Sequence, residues 1–260
     1  MVTIKVGPEE TPFRIHKAIV CSQSTYFDKA FSGGFEEATT GVVTLTDVDA
    51  DLFSIVSAWL YTGMLRQHGT GIHIQDQAHS EAEKQDIHKF EHDRPETWAW
   101  QMLMDLYFLA DRLTLHKLRN ALIDAMIRRS QDDPPDSPQL VQQIYEQTTS
   151  LSPLRALVLD AWAYDTLIAI EPYELRVLPK EFLGSLLEKV AARIPAEVCA
   201  SCHKAARLGL SSCPSLYAHI SHSKKDEAPY MVDNCLYHSH ESPEDRMACQ
   251  MERRRREDQA

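Results

Sequence analysis

The sequence predicts an α+β fold: a small mixed sheet flanked by helices, then an all-helical region, then an irregular tail rich in cysteine and histidine. Three observations carry that prediction. The opening VTIKVG alternates Val2, Ile4 and Val6 with Thr3 and Lys5, the period of two of a half-buried strand. From residue 49 onward, apolar residues return at the 3.6-residue period of amphipathic helices. Five of the six cysteines fall between Cys199 and Cys249, so the last quarter of the chain differs in kind from the rest.

Gly7-Pro8 ends the first strand, and TPFRI completes a hairpin with Phe13 and Ile15 on one face. HKAIVCSQSTYFDKAF reads as two short helices, with Ala18, Ile19, Phe27, Ala30 and Phe31 inward and Ser22 or Ser24 as cap of the second. VVTLTDV is a third strand. Asp49 caps a helix whose stripe is Leu52, Phe53, Val56, Trp59 and Leu60, and Gly63 stops it. Residues 66–96 are polar and hold five of the twelve histidines. Such a segment buries too little apolar surface to offset its ordering entropy, so it reads as an inserted loop with a frayed helix near 80–91.

Periodicity resumes at Trp98, Trp100, Leu103, Met104, Tyr107 and Phe108. Thr114 is the expected cap of a helix carrying Leu115, Leu118, Leu122 and Met126 inward. QDDPPDSP is a linker, and Ser137-Pro138 and Ser152-Pro153 each look like a cap with proline in the first helical position. The helix from Ser152 places Leu154, Leu157, Val158, Ala161 and Trp162 on one face. The helix from Pro179 places Phe182, Leu183, Leu186, Leu187, Val190 and Ile194 on one face. The expected organisation is a first domain over 1–130, a helical region over 137–198 and a Cys/His-rich tail over 199–260.

The net charge of −11, from 27 basic and 38 acidic residues, repels phosphate backbones and argues against direct nucleic-acid binding. The four arginines at 253–256 are followed by Glu257 and Asp258, which suits a solvated tail or a localisation signal. No apolar run approaches the roughly 18 residues of a membrane helix, and the first residues lack the apolar core of a secretory signal. An intracellular home, cytoplasmic or nuclear, is the expectation, and with it reduced thiols rather than disulfides.

Several motifs fall in register: FRIHKAIVCSQSTYFDKAF, then VVTLTDVDADLFSIVSAWLYTGML, then DLYFLADRLTLHKLRNALI. With Phe13, His16, Lys17, Ser24, Phe27, Leu45, Asp47, Asp49, Phe53, Tyr61, Thr62, Gly63, Leu109, Ala110 and Asp111 in order, they resemble a BTB/POZ domain over about residues 1–130, less the insertion. IYEQTTSLSPLRALVLDAWAYD resembles the segment after the domain in many fungal BTB proteins. The resemblance implies a protein-interaction adaptor or scaffold, with cullin-based ubiquitin ligases or transcriptional assemblies as partner classes. Many family members carry an extra helix before the first strand for homodimer exchange. Here the strand begins at Val2, so that route to a homodimer is not expected and the oligomeric state stays open.

No phosphate-binding glycine loop, nucleophile turn or His-Glu-x-x-His occurs. His16 with Cys21, and Asp47 with Asp49, resemble catalytic pairs only by residue type. Core packing, turn formation and capping explain them. The chemically loaded region is the tail. Cys199-x2-Cys202-His203 and Cys213 precede NCLYHSHESPEDRMAC, with Cys235, His238, His240 and Cys249. Thiolates and imidazoles on short spacers are what tetrahedral zinc requires. A similar end occurs in the fungal proteins that the chain resembles.

The first candidate set for one structural zinc is Cys235, His238, His240 and Cys249. A second draws Cys199 and Cys202 together with Cys235 or Cys249 and one histidine. The competing reading is a loosely ordered tail with reduced thiols. Three functions stand: an adaptor, possibly for a cullin ligase; a transcription-associated regulator with a zinc-stabilised tail; and a zinc hydrolase, which four protein ligands would disfavour by closing the open position a catalytic zinc needs.

Overall fold

The computed structural model describes residues 1–66, 93–166, 174–193 and 228–257. Nearly all of the predicted insertion lies outside these residues, as do Cys199, Cys202, Cys213 and Ile194.

Three strands form the sheet, in the order β2-β1-β3. β1 (Val2–Val6) and β2 (Thr11–Ile15) make the antiparallel hairpin, with Val2 opposite Ile15 and Val6 opposite Thr11. β3 (Val42–Leu45) lies parallel to β1, with Ile4 beside Val43. A parallel return needs a crossover, and the chain supplies it as α1 (Lys17–Gln23), α2 (Thr25–Ser32) and α3 (Glu36–Thr40). The first two answer to the sequence pattern. The third was not expected, since EEATT carries no apolar stripe and buries nothing. In α1 the buried residue is Val20, while Ala18 faces solvent. A seven-residue helix presents one narrow stripe, and the β-branched side chain takes it.

α4 (Ala50–Thr62) begins as predicted: the Asp49 carboxylate accepts from the N–H groups of Asp51 and Leu52 at 2.9 and 3.0 Å. It ends at Gly63, whose φ of 65° is the left-handed conformation that terminates helices. α5 (Trp100–Arg112) and α6 (His116–Ser130) follow as a helical hairpin.

The turn between them corrects the sequence reading at Thr114. α6 begins at His116, and Thr114 takes φ 51° instead of capping it. Its hydroxyl accepts the Tyr26 N–H at 2.9 Å and the Thr25 hydroxyl at 2.8 Å, so it satisfies the start of α2. Ser24 completes the joint. Its buried hydroxyl donates to the Leu113 carbonyl at 2.6 Å and accepts from the Phe27 N–H at 3.1 Å.

Beyond the linker, α7 (Pro138–Gln147), α8 (Pro153–Ala161) and α9 (Lys180–Arg193) pack on one another and back onto the hairpin, α5 against α7 and α6 against α8. Arg155 is buried at their junction. Its guanidinium donates to the Tyr145 carbonyl at 2.6 Å and to Glu181 at 3.0 Å, and it covers the Tyr145 ring at 4.2 Å. Trp162 stands edge-on to Phe182 at 5.2 Å and donates to the Pro135 carbonyl at 2.6 Å. One apolar cluster runs unbroken from Val2 through Phe53, Leu122 and Trp162 to Tyr237. On α9, Phe182 and Leu186 are inside, but Leu187 is 71% exposed. The helix meets its neighbours along a stripe too narrow for both leucines. Among the described residues, no helix is long and apolar enough to cross a membrane.

Over residues 228–257 the tail is largely helical where an irregular chain was expected. α10 (Pro229–Val232) leads into a 3-10 turn over Asn234–Tyr237, and α11 (Pro243–Glu257) follows. Ser242 accepts from the Asp245 N–H at 3.1 Å, Pro243 opens the helix, and Glu244 and Asp245 occupy its first turn. Ser137-Pro138 and Ser152-Pro153 open α7 and α8 with the same residue pair, but neither serine makes the expected side-chain cap bond.

Replacing Ser24 by alanine removes a cap and leaves the Leu113 carbonyl without that donor, at a cost of about 2 kcal/mol. Urea unfolding should show a lower midpoint with an unchanged slope. A second test concerns Asp105. Burial raises its carboxyl above the ordinary value, against the Gln101 hydrogen bond at 2.9 Å. The native state therefore holds this proton more tightly than the unfolded chain, so the ionised group opposes folding at neutral pH and stability recovers as pH falls through the native value. Asp105→Asn should raise the melting temperature at pH 7, and the gap should close in acid.

Candidate functional site

The tail's chemistry gathers at one place. The 3-10 turn carries Cys235, the extended segment after it carries His238 and His240, and α11 returns Cys249 on its second turn. Cys235, His240 and Cys249 offer donor atoms that all lie within 4.8 Å of one another. Cys235 Sγ is 3.2 Å from His240 Nε2. His238 meets the group at its Cys249 corner, with Nδ1 3.2 Å from the sulfur. Tetrahedral zinc with bonds of ~2.3 Å to sulfur and ~2.0–2.1 Å to nitrogen sets neighbouring donors roughly 3.5 Å apart, a few tenths from these spacings.

The sulfurs and imidazoles are mostly shielded. Cys235 is buried, Cys249 half-buried, and the two imidazoles are almost covered. Burial and the neighbouring Cys235 push the Cys249 thiol up to about 12. A paired cation would reverse that preference, because the thiolate is the form that ligates.

The surroundings come from α6. Asp124 receives His238 Nε2 at 3.0 Å and the Asn234 amide at 2.5 Å. Burial alone would raise its carboxyl, but the hydrogen bond and charge of His238 hold it below the ordinary value. Asn120 accepts the Ser239 N–H and donates to the Ser239 carbonyl, both at 2.9 Å. Farther out, the Tyr237 hydroxyl donates to the buried carboxylate of Asp160 at 2.6 Å, and Arg253 donates to Asp233 at 3.0 Å. Of the first sequence-derived ligand set, Cys235, His240 and Cys249 come together, while His238 touches only the Cys249 corner. Asp124 and Asn120 were missed, because polar residues four apart on a helix also describe an ordinary solvated face.

The other sequence candidates are engaged elsewhere. His16 Nδ1 lies 2.9 Å from the Tyr61 hydroxyl, while Cys21 Sγ turns to the Phe27 carbonyl at 3.7 Å and burial raises its thiol. They form no nucleophile and base. Asp47 pairs with both terminal nitrogens of Arg112, whose hydrogen bonds lower its carboxyl, and Asp49 is a helix cap.

On the N-terminal side, the turn joining α2 to α3 holds Phe35 outward, 63% exposed. Gly33 fixes this geometry: a Cβ there would stand 2.4 Å from the Lys29 carbonyl and 3.1 Å from the Phe35 ring. Glu36 and Glu37 follow in the first turn of α3.

The small mixed sheet and the helices around it agree with the comparison by family. The BTB/POZ domain model matches residues 2–89. The N-terminal part of the chain is therefore a BTB/POZ domain, a module for binding other proteins. The match ends inside the polar insertion, and the α5–α6 hairpin with its Leu109-Ala110-Asp111 lies beyond it.

Proposed function

We propose that the protein is a non-catalytic adaptor: the BTB/POZ domain grips a partner, and the helical region and zinc-held tail form the rest of one scaffold. The observation that carries the partner surface is Phe35. A large aromatic ring displayed on a rigid turn, beside two carboxylates, suits a partner with an apolar pocket rimmed by cations. A cullin is the partner class that the domain's resemblance suggests.

The zinc reading rests on the four donors of Cys235, His238, His240 and Cys249. A four-ligand, two-sulfur site is closed and structural, since nothing is left for a reacting water. That supports a scaffold over a hydrolase. Arg253, turned back to Asp233 and the Val232 carbonyl, takes one arginine of the basic run into internal contacts, which weakens the nucleic-acid reading.

Full-length protein on a sensor surface should retain a recombinant cullin N-terminal region, and Phe35→Ala should weaken binding about thirtyfold, as for an aromatic hot spot of roughly 2 kcal/mol. No retention by the wild type refutes the cullin assignment. Elemental analysis should give one zinc per wild-type chain and a large loss in Cys235→Ser with His238→Ala. Equal, negligible metal in both ends the zinc reading.

A further inference from the structure

We infer that Asn120 and Asp124 of α6 are positioning residues for the zinc, so that metal binding latches the tail onto the helix that also closes the N-terminal core. This rests on the zinc reading above and adds to it the surface against which the metal works.

His238 presents Nδ1 toward Cys249 and Nε2 toward Asp124. A neutral histidine that ligates through Nδ1 keeps its proton on Nε2, and the Asp124 carboxylate accepts that hydrogen bond. The contact fixes both the tautomer and the ring plane, the work that a carboxylate behind a ligating histidine does in metal sites. The same Asp124 oxygen takes the side-chain amide of Asn234, the residue before Cys235. One carboxylate on α6 therefore steers two of the four ligands.

Asn120 acts on the segment between the histidines. It pairs with both the N–H and the carbonyl of Ser239, as a neighbouring strand would. Arg119 adds a donor to the Ser239 hydroxyl. The spacing of Asn120 and Asp124 puts them one turn apart on one face. A loop clamped at Ser239 holds His238 and His240 before any metal arrives.

The consequence is linkage. An ion bound only by the docked tail stabilises docking by RT ln(1 + [L]/Kd). Removal of zinc should loosen the tail and bare the Asn120–Asp124 face of α6.

The test uses the full-length chain, Asp124→Asn and Asn120→Ala. Zinc affinity is read by competition with a chromophoric chelator, the donor set by the absorption of the cobalt-loaded protein, and docking by hydrogen exchange. The expected result is one metal per chain in all three. Affinity should fall about 10- to 100-fold in Asp124→Asn and about tenfold in Asn120→Ala. Cobalt should keep its thiolate-to-metal band, and chelation should raise exchange over 228–257. A purely structural role would lower the zinc-free melting temperature and leave zinc affinity untouched. Wild-type zinc with unchanged affinity in both variants, or tail exchange indifferent to chelation, overturns the inference and leaves the zinc reading standing. Absence of zinc from the wild type overturns both. Asn120→Ala removes neither a ligand nor a buried charge, so it still reads the linkage if Asp124→Asn does not fold.

Discussion

α6 is the element on which both halves of the structure depend. One face carries Leu118, Leu122, Ala125 and Met126, all fully buried. Another carries Arg119, Asn120 and Asp124, which hold the tail. A helix repeats its faces every three to four residues, so two unrelated surfaces can be written into fifteen residues without interfering. The cost is low adaptability: a shift of α6 along its axis would misplace the core stripe and the tail contacts together.

The start of α6 shows what fixing that helix requires. Thr114 sits at a positive φ, a conformation that a β-branched residue adopts at a cost of about 1–3 kcal/mol. Its hydroxyl bonds Tyr26, Thr25 and the Leu113 carbonyl, and Ser24 donates to the same carbonyl. The strained turn thus helps Ser24 to cap α2, and the start of α2 in turn pins the turn that leads into α6. Sequence reasoning assigned Thr114 to the nearer helix, because capping rules are local and this cap joins residues 88 positions apart.

The same division between local and distant signals explains what the chain revealed in advance. The strands, the Asp49 cap, the Gly63 stop and the stripe from Phe53 to Leu60 are set by neighbours in sequence, and they were readable. The approach of Cys235, His240 and Cys249 to one another also follows from short spacers, which constrain where donors can lie. Asp124 is 114 residues from His238 and left no local trace. α3 and α11 were missed for another reason. Both are polar helices with acidic residues in their first turns but without the apolar stripe on which periodicity relies.

The polarity of α11 bears on why metal chemistry suits this tail. Tyr230, Cys235 and Tyr237 are buried, but Met231, Val232, Leu236, Met247 and Met251 stay largely exposed. The segment therefore returns little apolar burial for the ordering of its backbone. Directional contacts take up the role: the Tyr237–Asp160 bond, the Asn120 clamp on Ser239 and the Arg253–Asp233 pair. Each contributes modestly in water, and together they define where the ligands stand more than how firmly. Bonds from an ion to such thiolates and imidazoles would be of another magnitude, roughly 10–16 kcal/mol in small zinc domains. On the proposed zinc reading, a tail built this way is poised rather than held by its own packing, and an ion at Cys235, His240 and Cys249 would hold it against α6. The Phe35 turn, set by Gly33, needs no such ion.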